Sequence, residues 1–214
     1  VKIDVAKGEC YLAASDVTSP DWTFTITPAA LTASGSGTAS GTFGGSLGSL
    51  SVSGLKAMLG TDEISGRWAL SGGEIPNVGD TGKYTAEFTA DVHPEYYKPL
   101  TAKVTLDIAK AQAPAMADTT LSCYWGASGE KSVSLAGLPE NTGEIYPATI
   151  AVSDVNGILA ADSARYSDGK LYFTLGENTE ESIGNTAEIT VTLPTQNYTD
   201  FTFRITVTLA AKGD

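Results

Sequence analysis

Apolar and polar residues alternate with period two along several stretches of the chain, as in strands with one buried face. Examples are Val1–Lys7, Lys83–Ala90, Lys131–Leu135 and Ala187–Leu193. Between them lie short clusters rich in Gly, Pro, Asn and Asp, which are typical of turns. The pattern therefore predicts many short strands and an all-β fold.

The stretch Tyr97–Lys110 recurs near the end of the chain. At an offset of 101 residues Leu100 matches Phe201. Other pairs are Thr101 with Thr202, Lys103 with Arg204, Val104 with Ile205, and Thr105 with Thr206. We expect two modules that close with equivalent strands, in which Val104, Leu106 and Ile108 share a buried face, as do Ile205, Val207 and Leu209.

The repeat and the length of 214 residues predict two domains. We place the boundary at the uncharged, Pro-containing segment Ala111–Ala117, which gives a first module at 1–110 and a second at 111–214. Both are expected to be antiparallel Ig-like β-sandwiches, with a β-grasp-like arrangement as the alternative for the first. Residues 1–27 are lead-in strands, either a partial module or a completion of the first.

Glycine and serine are abundant from Pro28 to Gly54, as they are in flexible linkers. Apolar residues such as Leu31, Phe43 and Val52 nevertheless recur through this region. We therefore expect short strands with glycine turns and bulges. Further along, Asn156-Gly157 and Asp168-Gly169 predict two tight hairpin turns.

Several features in order resemble the MBG-type modules of bacterial cell-surface proteins. The resemblance covers roughly residues 27–110 and rests on Pro28-Ala-Ala-Leu-Thr, Gly66-Arg-Trp68, Tyr84-Thr-Ala-Glu-Phe88, and Tyr97 before a closing strand. It implies a small β module within a large surface protein of a Gram-positive bacterium, and therefore an extracellular, cell-wall-associated location. It implies no catalytic residues.

The formal net charge of −12 excludes sequence-independent binding to nucleic acid or to anionic membranes, which needs clustered cations. No apolar run approaches the roughly 20 residues that span a bilayer. We expect no membrane insertion of this segment, and partners that are neighbouring modules of the same polypeptide together with an unidentified host or glycan ligand.

Candidate catalytic chemistry is sparse. His93, the only histidine, precedes Pro94 in an expected loop, and no nucleophile elbow, zinc motif or phosphate-binding loop is present. Carboxylate pairs such as Asp62-Glu63 and Glu180-Glu181 are typical of a solvated acidic surface rather than of a glycosidase. We expect no enzymatic activity and no cofactor.

Metal and covalent sites are also weakly indicated. The region of Asp154 and Asp162–Asp168 holds oxygen ligands without the spacing of an EF-hand calcium loop, and we expect no metal site. Cys10 and Cys123 head similar short motifs, so we expect two separate thiols; a bridge between them and intermolecular pairing are the alternatives. Similar surface modules carry Lys–Asn isopeptide bonds, for which the available partners are Lys103, Lys110, Asn185 and Asn197.

Aromatic side chains are the remaining candidates for ligand contact, because their faces stack on sugars. Trp68, Trp125 and Tyr97 are the residues that a carbohydrate site would use, although a large aromatic on a strand more often fills a core. We therefore expect a structural or adhesive repeat segment that acts as a stalk or presents a ligand-binding region. The alternative is a pair of carbohydrate-binding modules attached to an extracellular enzyme.

Overall fold

The computed structural model describes residues 2–5, 14–18 and 27–212. Within these ranges the chain forms strands, loops and three single-turn 3₁₀ helices, at Leu47–Ser49, Pro94–Tyr96 and Glu180–Ser182. The predicted all-β fold is confirmed. Near the N-terminus β1 (Lys2–Val5) and β2 (Ala14–Thr18) pair antiparallel. The motif of Cys10 and the predicted strand around Trp22 lie outside the described residues.

Residues 27–110, which we call the six-stranded module, form one mixed sheet. Its strands are β3 (Thr32–Thr42), β4 (Ser51–Leu59), β5 (Asp62–Ile64), β6 (Gly66–Leu70), β7 (Lys83–Ala90) and β8 (Leu100–Ala109). The order across the sheet is β5-β4-β3-β8-β7-β6. The central strands β3 and β8 run parallel, while the remaining neighbours are antiparallel.

This sheet must curl strongly, because β5 and β6 lie at opposite edges and only Ser65 separates them along the chain. Five spacings of about 4.8 Å would hold the edges of a flat sheet about 24 Å apart, far beyond the reach of one residue. The curl brings both wings onto a shared core in which Ala39 of β3, Leu70 of β6 and Val104 of β8 belong to one cluster.

The glycine-rich segment forms β3 and a bulge, as predicted. Pairing between β3 and β4 shifts between Gly35 and Thr38. Gly35 and Gly54 both have positive φ, and a Cβ on either would overlap a backbone carbonyl oxygen of the opposite strand. Glycine is therefore required at both positions by the close approach of two backbones.

Residues 111–212, which we call the sandwich, form two sheets. Their strands are β9 (Thr119–Tyr124), β10 (Glu130–Ser134), β11 (Thr149–Ser153), β12 (Arg165–Ser167), β13 (Lys170–Thr174), β14 (Thr186–Leu193) and β15 (Phe201–Ala210). The sheet orders are β10-β13-β12 and β11-β14-β15-β9. This is the Ig-like partition, in which the second, fifth and fourth strands oppose the third, sixth and seventh.

The repeated closing strands behave as predicted. In β15 the side chains of Ile205, Val207 and Leu209 are buried. In β8 Val104 and Ile108 are buried, and Leu106 is partly buried against the same cluster. Both strands therefore lie at the centre of their modules, where an alternating pattern specifies one buried face.

Two details differ from the sequence predictions. Each module contains a parallel pair, β3 with β8 and β9 with β15, so neither is purely antiparallel. In the six-stranded module the first and last strands are parallel neighbours at the centre of one mixed sheet, and the β-grasp alternative for this module stays a prediction. The division of the chain at residue 110 stays a prediction, although strands 32–109 and 119–210 hydrogen-bond only within their own groups in the described ranges.

The two predicted hairpin turns have different outcomes. Asp168-Gly169 joins β12 to β13, with positive φ at both residues, as a tight hairpin turn requires. At Asn156-Gly157 the tight turn forms, with a backbone hydrogen bond from Gly157 N to Asp154 O and positive φ at Gly157. The hairpin predicted there is wrong, because β11 pairs with β14 and the chain then crosses to the opposite sheet. A dipeptide that favours a turn does not determine which strand follows.

Candidate functional site

The predicted ligand-contact aromatics are dispersed over the two modules. Trp68 on β6 is partly buried and packs on Phe88 with ring centroids 5.2 Å apart. Tyr97 follows the 3₁₀ helix Pro94–Tyr96 and is partly buried against Leu31 and other members of the same apolar cluster. These two aromatics support the core of the six-stranded module.

Trp125 lies in the sandwich, in the turn that follows β9. Its backbone N–H donates to the carbonyl oxygen of Ala210, at 3.1 Å. The structure therefore places Trp68 and Tyr97 in one cluster and Trp125 in another module. Contact of the three with a ligand stays a prediction.

His93 lies at an exposed loop tip in the left-handed conformation, with φ of 51°. Its ring stacks on Tyr96 with centroids 4.5 Å apart, and its Nδ1 lies 3.1 Å from Oε1 of Glu95. The pKa of the Glu95 carboxyl is lowered, first by a hydrogen bond from the backbone N–H of Glu95 and then by the contact with His93. These contacts order the loop locally.

The Asp154 carboxylate, considered for calcium, accepts two backbone hydrogen bonds. Ile158 N donates to Oδ1 at 3.0 Å and Leu159 N to Oδ2 at 2.7 Å. Both oxygens thus hold the loop that carries the chain between the sheets. Among residues 2–5, 14–18 and 27–212 no group of three His, Cys, Asp or Glu side chains is placed to hold a metal ion.

Cys123 is a buried free thiol on β9. Burial raises the pKa of this thiol, and the charge of Lys131 partly opposes that shift. The thiol form is therefore favoured, and the side chain packs as a small apolar group. Pairing with Cys10 stays untested, because Cys10 lies outside the described residues.

The most highly organised polar site in residues 27–212 lies between the modules and was not predicted. We call it the junction clamp, and it consists of the side chains of Gln196 and Asn197 with the segments that they bind. Both residues belong to the loop between β14 and β15. Asn197 is completely buried, which is unusual for a polar residue and requires hydrogen-bonded partners.

The side chain of Asn197 reaches two other segments of the chain, the turn at Asn77 and Val78 and the loop at Asn141. Its Oδ1 accepts a hydrogen bond from the backbone N–H of Val78 at 2.9 Å. Its Nδ2 donates to Oδ1 of Asn77 at 2.7 Å and to the carbonyl oxygen of Asn141 at 2.9 Å. Both amide protons and the amide oxygen are therefore used, and the side chain joins the six-stranded module to the sandwich.

Gln196 binds the remaining backbone polar group of Val78, its carbonyl oxygen. Its Nε2 donates to the Val78 carbonyl oxygen at 2.8 Å, while its Oε1 accepts from the backbone N–H of Glu144 at 3.1 Å. Since Asn197 binds the N–H of Val78, the two amides satisfy both backbone polar groups of that residue. Two side chains here replace the partner strand that a β-ladder would supply.

Local sequence explains why Val78 is accessible to the clamp and why the two amide side chains have room to reach it. Val78 lies in the turn Asn77–Asp80, closed by a hydrogen bond from Asp80 N to Asn77 O, with Gly79 at positive φ. Gly143 faces the turn from the sandwich, and a Cβ there would lie 2.7 Å from Oε1 of Gln196 and 2.9 Å from Nδ2 of Asn197. Glycine at 143 leaves room for both amides.

The connecting segment is fixed on the same loop. Ala111 N donates to Asn197 O at 2.9 Å, and Thr199 N donates to Ala111 O at 2.8 Å, which forms a parallel bridge. Lys110 Nζ donates to the Thr195 carbonyl oxygen at 2.6 Å. The chain is therefore attached to the sandwich within two residues of the end of β8.

An aromatic contact and an open cleft flank the clamp. Phe43 of the six-stranded module meets Tyr198 of the sandwich edge to face, with ring centroids 5.6 Å apart. The cleft, about 580 Å³ in volume, has Glu74, Asp80 and Glu140 as its charged lining residues. The clamp itself uses neutral amides, so it offers neither an acid nor a base for catalysis.

The sequence contained only an indirect signal for this site. Through the repeat, Asn197 and Tyr198 occupy the positions of Tyr96 and Tyr97, so a polar residue replaces an aromatic one just before a closing strand. Asn197 and Lys110 are two of the candidate partners for an isopeptide bond, and each makes hydrogen bonds to other groups. Lys103 likewise donates to Oγ1 of Thr85, at 2.6 Å. The isopeptide bond stays a prediction.

No protein-family model matches the chain, and no curated protein matches it. Among solved structures, a mutated fragment of titin domains I67–I69 is 13% identical, with a TM-score of 0.36 over 73% of this chain and 58% of that one. Titin domains Z1Z2 in complex with telethonin are 12% identical, with a TM-score of 0.36 over 88% of this chain and 100% of that one.

A glycoside hydrolase family 107 endo-fucoidan hydrolase, MfFcnA4, is 14% identical, with a TM-score of 0.30 over 94% of this chain and 32% of that one. This chain spans 58–61% of the length of the titin I67–I69 fragments. Scores this low carry no argument about family or function, so the strand order remains the basis of the fold assignment. Within the described ranges no helix is long and apolar enough to cross a membrane.

Proposed function

We propose that this chain is a structural segment of an extracellular protein built from serial β modules, in which each module is clamped to the next. The single observation that carries the proposal is the buried junction clamp. A segment of this kind holds a binding region at a set distance and direction from its anchor. The modules then act as a stalk or as a support for ligand-presenting loops.

The clamp opposes independent motion of the modules. Separation would remove Val78 and Asn77 from the amides of Gln196 and Asn197. Each buried polar group left without a partner costs about 1–3 kcal/mol, unless water enters to replace the lost bond. Domain pairs move relative to one another by default, so a desolvated set of such bonds favours one arrangement.

A second observation supports a serial arrangement. At the N-terminal end of the six-stranded module, Ala29 N donates to Tyr96 O and Lys98 N donates to Ala29 O, both at 2.8 Å. Ala111 makes the same parallel bridge in the sandwich. The chain thus enters both modules through the same kind of parallel bridge. At the entrance to the six-stranded module the side chains of Val92 and Tyr96 are exposed, and a preceding module would lie against them.

We further propose a bacterial cell-surface location, on the resemblance of residues 27–110 to MBG-type modules. The acidic composition suits this location, since like-charged stalks repel one another and stay soluble. Antibodies against the folded chain should label intact, unpermeabilised cells of the source organism. Labelling that requires permeabilised cells would contradict the location.

Two measurements together test the structural role, namely glycan binding and resistance to mechanical force. On a glycan array the chain should bind no sugar through Trp68, Trp125 or Tyr97, while in single-molecule pulling both modules should resist force as separate cooperative units. Glycan binding that is lost when these aromatics are replaced by alanine would instead favour the carbohydrate-binding alternative. It would also contradict a purely structural role.

A further inference from the structure

The four-stranded sheet of the sandwich ends in a strand with an open edge. In the part of the chain that the structure describes, β11 (Thr149–Ser153) pairs with β14 and with no other strand. Its outer backbone N–H and C=O groups can therefore accept a further strand. The sequence of β11 is Thr-Ile-Ala-Val-Ser, which contains no charge, proline or glycine.

Most other edge strands of the two modules contain charged side chains, which oppose association with another sheet. The edge strand β5 contains Asp62 and Glu63, β10 contains Glu130 and Lys131, and β12 begins with Arg165. The two edge strands of the four-stranded sheet, β9 and β11, contain no charge. Of these two, β11 carries the exposed β-branched aliphatic side chain of Val152.

Exposed apolar side chains concentrate around this edge. Val152 on β11 is 47% exposed, and Val155, just beyond the strand, is 93% exposed. Ile145 and Tyr146, which precede the strand, are also exposed. Four of the nine exposed large hydrophobic residues in the described ranges thus lie between positions 145 and 155, which marks an interaction surface rather than isolated surface residues.

The residue pattern of β11 is nearly the same in both directions. Antiparallel pairing of two copies about Ala151 would set Thr149 opposite Ser153 and Ile150 opposite Val152. Each pair joins side chains of one kind, hydroxyl with hydroxyl and β-branched aliphatic with β-branched aliphatic. A two-fold interface requires such self-complementarity, because residue i contacts j while j contacts i.

We propose that β11 is a lateral docking edge for β11 of a second copy of this chain, which joins two four-stranded sheets into one. Charges across this junction are compatible. Glu188 is the partner of Ser153 in β14, and Thr192 is the partner of Thr149. In the dimer a row would run Glu188, Ser153, then Thr149 and Thr192 of the second copy, so like charges do not meet.

A groove beside β11 would receive the second copy. Ile150 and Val152 line a cavity of about 360 Å³, together with Leu159, Ala160 and Ala164 from the connection to β12, and Asp154 and Asp162 also line it. Val152 of the second copy lies opposite Ile150 and so at the mouth of this groove. Pairing would cover apolar surface as well as satisfy backbone groups.

The association is expected to be weak because the interface area is small. Stable interfaces bury about 800 Å² per partner, and five paired residues with a few flanking side chains fall below that. The formal net charge of −12 on each copy adds repulsion, which salt screens. We therefore expect a dimer that forms near millimolar concentrations in solution, that strengthens with added salt, and that is favoured where chains are anchored side by side.

The test uses the full chain and charge exchange at Ala151, an exposed residue at the two-fold position. Sedimentation equilibrium should show a monomer–dimer equilibrium for the wild-type chain. Ala151→Lys or Ala151→Glu should each weaken dimerisation about tenfold or more, because like charges would face each other within about 5 Å. An equimolar mixture of the two variants should dimerise again.

The control is Ser122→Lys, an exposed residue on β9 at the opposite edge of the same sheet, which should dimerise as the wild type does. The proposal is overturned if the chain stays monomeric at about 1 mM, beyond the range of weak specific contacts. It is also overturned if Ala151→Lys dimerises unchanged, or if the mixture of two folded variants stays monomeric. Circular dichroism establishes that each variant is folded.

Discussion

At the scale of single residues, Asn197 does what no sequence pattern indicated. An asparagine in a loop is ordinarily exposed, yet this one is completely buried and hydrogen-bonded to residues about 120 positions away. Its burial depends on a turn in another module, so local pattern could not reveal it. The pattern of the neighbouring strand did predict the buried face that begins at Phe201.

Replacement of Asn197 by alanine should destabilise the sandwich and release the junction. The variant leaves Val78 N–H, the Asn141 carbonyl and the Asn77 amide without their partner, and we expect a loss of about 2–4 kcal/mol in the free energy of unfolding. Urea denaturation measures this loss. Asn156→Ala in an exposed turn is the matched control and should change stability by less than about 0.5 kcal/mol.

The loop of His93 should respond to acid. The pKa of Glu95 is lowered in the folded chain, so its contribution is present above the unfolded pKa and is lost as the pH falls through the folded pKa. We expect the NMR signals of Tyr96 to shift over this acidic range.

Glu95→Gln should abolish the acidic shift at Tyr96, since glutamine does not titrate there. A shift of the same size that persists at Tyr96 in the Glu95→Gln variant would contradict the assignment to Glu95. The temperature and salt concentration are held constant, because both alter exposed ion pairs.

At the scale of elements, periodicity predicted most strands and little of their order. The closing strands β8 and β15 were found because one buried face forces alternation, as at Val104 and Ile205. The parallel pairs could not be found in this way, because the same alternation suits either direction. The failed hairpin at Asn156-Gly157 has a related cause: the turn is local, whereas the choice of sheet depends on the whole core.

Equivalent truncations in the two closing strands should destabilise different modules. Val104→Ala and Ile205→Ala each remove buried methyl groups from a central strand, with expected losses of about 1–3 and 2–5 kcal/mol. Hydrogen exchange should show faster opening of residues 32–109 in the first variant and of residues 119–210 in the second. Thr105→Ala, on the exposed face of β8, is the control for the first change.

Uniform loss of protection across both modules in either variant would mean that they unfold as one unit. The predicted division near residue 110 would then be wrong as a description of folding, even though the sheets are separate. Unequal loss, confined to the mutated module, is the result expected from two cores.

At the scale of the whole molecule, the two modules are joined by more than a peptide. Lys110 and Ala111 are attached to the loop at 195–199, and Gln196 and Asn197 hold the turn at Val78. Sequence composition suggested only a short Pro/Ala connection at Ala111–Ala117. The fixed junction therefore depends on long-range contacts that composition does not contain.

A fixed junction also determines which surfaces remain available. The loop between β14 and β15, at the end of the sandwich where Ig-like domains often bind ligands, is occupied here by the preceding module. Recognition by the sandwich must then use its opposite end or its edge strands, and β11 is an edge strand without charge. The structural role and the lateral docking edge are thus separate surfaces of one molecule.

The central claim is that the junction clamp fixes one orientation of the two modules, and amide residual dipolar couplings in weakly aligned solution test it most directly. For the wild-type chain we predict that couplings from residues 32–109 and 119–210 fit one common alignment tensor. In a Gln196→Ala, Asn197→Ala variant that remains folded, the two groups should require tensors of different magnitude. Different tensors already in the wild-type chain would contradict the claim.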